Sequence, residues 1–99
     1  MIPYTVRMTR DAIGDFGGLR AFDRSRIREA IATQLLHEPT KMTHHCKPLN
    51  VNPFASWELR VGDWRVLYDV DEEMHEVENV ALGRKIHDKL VVRGKEWDL

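Results

Sequence analysis

Ninety-nine residues, 42% hydrophobic and 31% charged, with a formal net charge of −1, describe one globular domain over residues 1–99 and exclude a uniformly basic nucleic-acid binder. The single cysteine, Cys46, excludes an internal disulfide. No apolar run is long enough to span a bilayer, and the N-terminus has no signal-peptide pattern, so a cytoplasmic setting and no membrane partner are expected.

The chain opens with a strand over Pro3 to Met8, where Tyr4, Val6 and Met8 alternate with Thr5 and Arg7. Thr9 suits the N-cap of a short helix from Arg10, which Gly17-Gly18 would end. A second helix carries Ile27, Ala30, Ile31 and Leu35 at helical spacing, with Asp23 as the expected cap and Pro39 as the stop. Arg24, Arg26 and Arg28 fall on its more polar positions. The segment 38–56 has no clear period and contains three prolines, so it reads as a long loop with room for a short hidden strand.

Trp57 to Val70 is the clearest stretch. Two runs alternate apolar and polar residues around Gly62-Asp63, the pattern of a tight β-hairpin. That turn sets Val61 opposite Trp64, Leu59 opposite Val66 and Trp57 opposite Tyr68, all on one apolar face that needs a covering layer. The other face carries Glu58, Arg60, Arg65, Leu67 and Asp69. Arg60 and Arg65 are directly opposed, and like charges so placed cost up to about 1 kcal/mol, so a carboxylate or an anionic ligand should compensate. Beyond a turn at Asp71-Glu72-Glu73, Met74 to Leu82 reads as a third antiparallel strand closed by Gly83, and Leu90 to Val92 as an edge strand. Six acids fall between Asp69 and Glu78, a run that a phosphate backbone would avoid. His44-His45-Cys46 places three ligand types side by side, poor geometry for a metal, and no metal or other cofactor is expected.

The order strand, helix, helix, loop and three antiparallel strands, with LRVGDWRVLYDVDEE followed by VALGRK and a closing KLVVRGKEW, resembles the RelE/ParE superfamily of bacterial toxin–antitoxin systems, most nearly its RelE-like branch. The resemblance implies an α+β fold: a twisted antiparallel sheet with an N-terminal helical hairpin packed on one face. It also implies a toxin held inactive by a cognate antitoxin. RelE-like members are ribosome-dependent mRNA endonucleases, which makes the ribosome and mRNA expected partners. ParE-like members poison DNA gyrase instead, and a degenerate member would bind only its antitoxin. Fold alone does not choose among these.

Metal-free RNA cleavage needs a base for the 2′-hydroxyl, cations for the phosphorane and an acid for the leaving oxygen. By resemblance, Arg65 occupies the strand-arginine position of the family, Arg60 the arginine before the turn, and Lys85 the basic position after the third strand, with Arg84 beside it. These four are expected to form one phosphate-binding patch, with Lys47 from the loop as a further phosphate contact. Ser56 and Glu58 stand where characterised RelE proteins place two lysines, and Val91 lies near the position of their C-terminal tyrosine. Glu58 as base and His87 as acid form a chemically sensible replacement pair.

Overall fold

The hairpin around Gly62-Asp63 lies at the middle of a seven-stranded sheet. In a computed structural model that describes residues 2–98, β3 (Trp57–Val61) and β4 (Trp64–Asp71) pair antiparallel in the expected register, down to Arg60 facing Arg65. Gly62 adopts φ +60°, the left-handed conformation that a two-residue hairpin turn asks of its first central residue. The remaining strands are β1 (Thr5–Met8), β2 (Cys46–Pro48), β5 (Glu76–Ile86), β6 (Lys89–Val92) and β7 (Lys95–Trp97). Their order is β2-β3-β4-β5-β6-β7, all antiparallel, and β1 adds in parallel to the first half of β5. The short strand within the long loop is β2.

Two helices cover one face. α1 (Arg10–Gly17) is capped by Thr9, whose hydroxyl accepts from Ala12 N at 3.2 Å. α2 (Ala21–Gln34) begins earlier than its composition suggests. Its N-cap is Arg20, and Asp23 lies in the first turn, where a carboxylate also complements the helix dipole, with Arg20 Nε 3.6 Å away. Ile27, Ile31 and Leu35 pack onto Leu59, Val61, Val66, Tyr68, Val77 and Leu82. Tyr68 is fully buried; its hydroxyl donates to Pro39 O at 2.6 Å and lies 3.4 Å from Cys46 Sγ. That bond anchors the chain just after α2 to the sheet centre.

The second face is only half polar. Leu67, Ala81, Leu90 and Val92 form a smaller apolar cluster there, covered by Leu49, Phe54, Ala55 and Trp97. The loop that supplies the cover is stitched by Asn52, whose Oδ1 accepts from Phe54 N and Ala55 N, and it is tied to β4 by Ser56 N donating to Asp69 Oδ1 at 2.8 Å.

β5 runs on past Gly83 to Ile86, so that glycine does not close the strand. A Cβ there would lie 2.8 Å from Val92 Cγ2 and 2.9 Å from both Leu90 Cδ1 and Val91 O. The missing side chain is what lets β6 lie close. The uneven alternation of β5 also has a cause: Leu67 pairs with Ala81 and Tyr68 with Asn79, so Val80 is an extra residue that shifts the phase. Between the end of β1 and the start of β6, the edge of β5 has no strand beside it. α1 and its cap fill that gap. Thr9 N donates to Asn79 O at 2.9 Å, and Leu82 N donates to Asp15 Oδ2 at 3.0 Å.

Candidate functional site: a basic sheet face around Glu58

Pairing register brings most of the expected site residues together. Lys47 on β2 lies directly across from Glu58, and Glu58 across from Leu67. One step nearer the hairpin tip, Arg60 faces Arg65, and Arg65 faces Gly83. Lys85 is two residues beyond Gly83 and so shares that face; its amide donates to Asp63 O at 2.8 Å. Lys47, Glu58, Arg60, Arg65 and Lys85 therefore occupy adjacent positions on four strands, bordering the smaller apolar cluster.

Glu58 explains how two arginines tolerate being opposed. Its carboxylate is 7% exposed as a residue, and Oε2 accepts from Arg60 Nε at 2.7 Å while Arg65 Nε lies 3.9 Å away. One buried anion thus sits between two cations and offsets their repulsion. Arg65 is the more deeply set, with 13% of its side chain exposed against 39% for Arg60. Its Nη1 donates to Gly62 O at 2.8 Å and Trp64 O at 3.0 Å, so the guanidinium is folded against the turn carbonyls. Burial pushes its proton affinity down, Glu58 opposes that shift, and Arg60 adds to it.

The chain matches the family model described as the ParE toxin of the type II toxin–antitoxin system, parDE, over residues 6–87. It belongs to that family. Among solved structures it is similar to the toxin–antitoxin complex RelBE2 of Mycobacterium tuberculosis, at 30% identity and a TM-score of 0.73, covering 85% of this chain and 93% of that one. The archaeal RelE–RelB complex of Pyrococcus horikoshii OT3 shares the fold at 20% identity, with a TM-score of 0.70 and coverage of 85% and 97%. No curated protein matches it significantly. The chain is thus a toxin of the RelE/ParE superfamily, with the α+β fold expected from its sequence.

In this ParE-family toxin two expected site residues stand apart from the rest. Arg84 pairs with Trp64 and lies on the helix-covered face, its guanidinium 5.1 Å from the Trp64 ring centroid. Neighbours in a strand point to opposite faces, so Lys85 can join Arg65 but Arg84 cannot. His87 is in the β5–β6 turn at φ 48°. It lies six residues along from Ala81, the β5 residue in Glu58's row, or roughly 20 Å along the strand, so the pair is not brought to one scissile bond. Cys46 is buried, and burial pushes its thiol up. No group of three or more His, Cys, Asp or Glu among the described residues is placed to hold a metal ion. Among the described residues no helix is long and apolar enough to cross a membrane.

Sequence reading missed the ion pair of Asp15 with Arg93 and the position of Arg84. The first links residues 78 positions apart and leaves no local pattern. The second followed from strand parity once Gly83 is placed inside β5 rather than at its end.

Proposed function

We propose that this toxin cuts translated mRNA on the ribosome, using the face that carries Arg65. The observation that carries the reading is the placement of Lys47, Arg60 and Arg65 about the Glu58 carboxylate, with Lys85 further along β5 on the same face. Arg65 and Lys85 would stabilise the charge that develops on the phosphorane, while Arg60 and Lys47 hold the flanking phosphates. Glu58 orients both arginines through Oε2, and its second oxygen faces the role of base. His87 lies too far along β5 from the Glu58 row to act at the same bond, so in this reading the leaving oxygen takes its proton from water.

The partner in this reading is a cognate antitoxin, as in the RelBE2 and RelE–RelB complexes. A groove of about 380 Å³ between α2 and the Leu59–Gly62 end of β3 is suited to it. Ala30, Leu59 and Val61 make an apolar floor, and Arg26 and Arg60 a basic rim.

The family match favours a second reading, poisoning of DNA gyrase. One experiment separates the two. Cell-free translation of a defined mRNA, with 5′ ends mapped by primer extension, should show new ends that require ribosomes and vanish with Arg65→Ala. Intact mRNA, together with gyrase-dependent breaks in a supercoiled plasmid, would replace the first reading by the second.

A further inference from the structure

We propose that the cleft between the first turn of α2 and the β3–β4 hairpin tip binds a nucleotide of single-stranded RNA, on the sheet face opposite Arg65. The cleft has a volume of about 460 Å³, within the range of small-ligand sites. Two arginine–aromatic pairs border it. Arg84 lies over Trp64 at 5.1 Å, and Arg26 over Phe22 at 5.9 Å. Arg20 is the third cation of its lining and is already engaged by Asp23 at 3.6 Å. Neither Arg26 nor Arg84 forms an ion pair with a carboxylate among the described residues. Both are exposed, and Phe22 keeps 68% of its surface open to solvent.

Solvent-facing guanidiniums supply phosphate contacts, and the flat faces of Phe22 and of the Arg84–Trp64 pair supply stacking surfaces. Single-stranded RNA offers both features in every nucleotide. The acids of the lining, Asp23 and Asp63, narrow the choice further. They are acceptors for base N–H groups, of which guanine presents the most on one edge. Arg26 lies close over Gly62, where an added Cβ would be 3.0 Å from Nη2, so the hairpin tip forms one wall of the cleft. Arg65 donates to the carbonyl of the same glycine from the other face. RNA seated here could continue around the tip to the Arg65 face, but occupancy of the cleft does not depend on cleavage.

The test uses the full-length chain, labelled with nitrogen-15, and the tetranucleotide UUGU, with no ribosome present. The Trp64 indole signal, assigned by its loss in Trp64→Phe, should shift saturably on titration, as should the Arg26 and Arg84 Nε–H signals. Arg26→Gln with Arg84→Gln should weaken binding at least about tenfold. Two phosphate contacts give a slope of log K against log salt of roughly −1.4, which the double variant should flatten. Phe22→Ala, at an exposed position that leaves the core intact, should weaken binding severalfold. The Trp64 titration needs neither ribosome nor cleavage, so failure of the cleavage reading is distinguishable from failure here. The proposal is overturned if the Trp64 signal does not move. It is equally overturned if shifts are confined to the Arg60–Arg65 face, or if inorganic phosphate or tetraglutamate moves Trp64 as strongly as UUGU.

Discussion

Arg93 grips Asp15 with two parallel hydrogen bonds, Nε to Oδ1 at 3.0 Å and Nη2 to Oδ2 at 2.9 Å. The same carboxylate accepts from Leu82 N, and Arg93 also donates to Val80 O at 3.3 Å. One ion pair therefore ties α1, the open stretch of the β5 edge and the β6–β7 turn into a single joint. Asp15 is 10% exposed at its side chain and Arg93 37%. Asp15→Ala should cost about 2–3 kcal/mol in urea unfolding, because it strands a backbone donor and a half-buried guanidinium together. Arg93→Ala should cost less, about 1 kcal/mol, since Asp15 keeps Leu82 N and the lost pair is partly screened. Equal losses for the two variants would mean that the Leu82 bond contributes nothing.

Gly83→Ala tests the close approach of β6. Its Cβ would meet backbone oxygen as well as two methyl groups, and the oxygen cannot swing away as a side chain can. We expect a loss of about 2–3 kcal/mol, read as an earlier urea midpoint at unchanged slope. Val92→Ala in the same chain should return only part of it, because Val91 O remains in the way.

Glu58→Gln keeps the shape of the side chain and removes the charge between Arg60 and Arg65. The two guanidiniums are then left opposed, and stability should fall by about 1–3 kcal/mol. Adding Arg60→Met should recover part of that loss, since one repulsive partner goes with it. A double-mutant cycle with no coupling would remove Glu58 as the compensating anion.

Alkaline pH should destabilise the fold through Tyr68 and Cys46. Burial raises both groups above their ordinary values of 10.0 and 9.0, with the Cys46 contact adding to the rise for Tyr68 and opposing it for the thiol. The unfolded chain then releases protons that the folded chain retains, so stability is full below pH 9 and declines above it. Tyr68→Phe should make the decline above pH 10 shallower. It should also cost about 1 kcal/mol at neutral pH through the lost bond to Pro39 O. Urea midpoints measured from pH 7 to 11 check both effects.

The hairpin was legible because its alternation is clean and Gly62-Asp63 marks the only turn that keeps it in phase. α1 was legible through Thr9, a residue that states its role locally. β5 was not, for two physical reasons. The bulge at Val80 breaks the period of two, and Gly83 serves packing although glycine more often punctuates. Misplacing that one glycine also put Arg84 on the wrong face, since its side follows from strand parity. β7 is three residues long, too short for any period, and the apolar character of the second face depends on Leu49 and Phe54 folding back from a loop. Arg60 and Arg65 were readable from the hairpin register alone, whereas Lys47 read as a loop residue because β2 is only three residues long, and Lys85 rested on the resemblance.

The parallel pairing of the first strand has a consequence for how the chain is made. Arg7 reaches Glu76 and Glu78, the latter 71 positions further along. Among the described residues β1 has no other strand partner, so it must wait for β5 to be synthesised before it can join the sheet. Helices and hairpin can form locally and early; the closing contact is among the most distant in sequence, the kind that slows folding. Each newly made copy thus passes through an interval in which the β4 edge stands open while the arginine hairpin is already in place. During that interval an emerging chain offers a neighbour a strand edge that the finished molecule conceals.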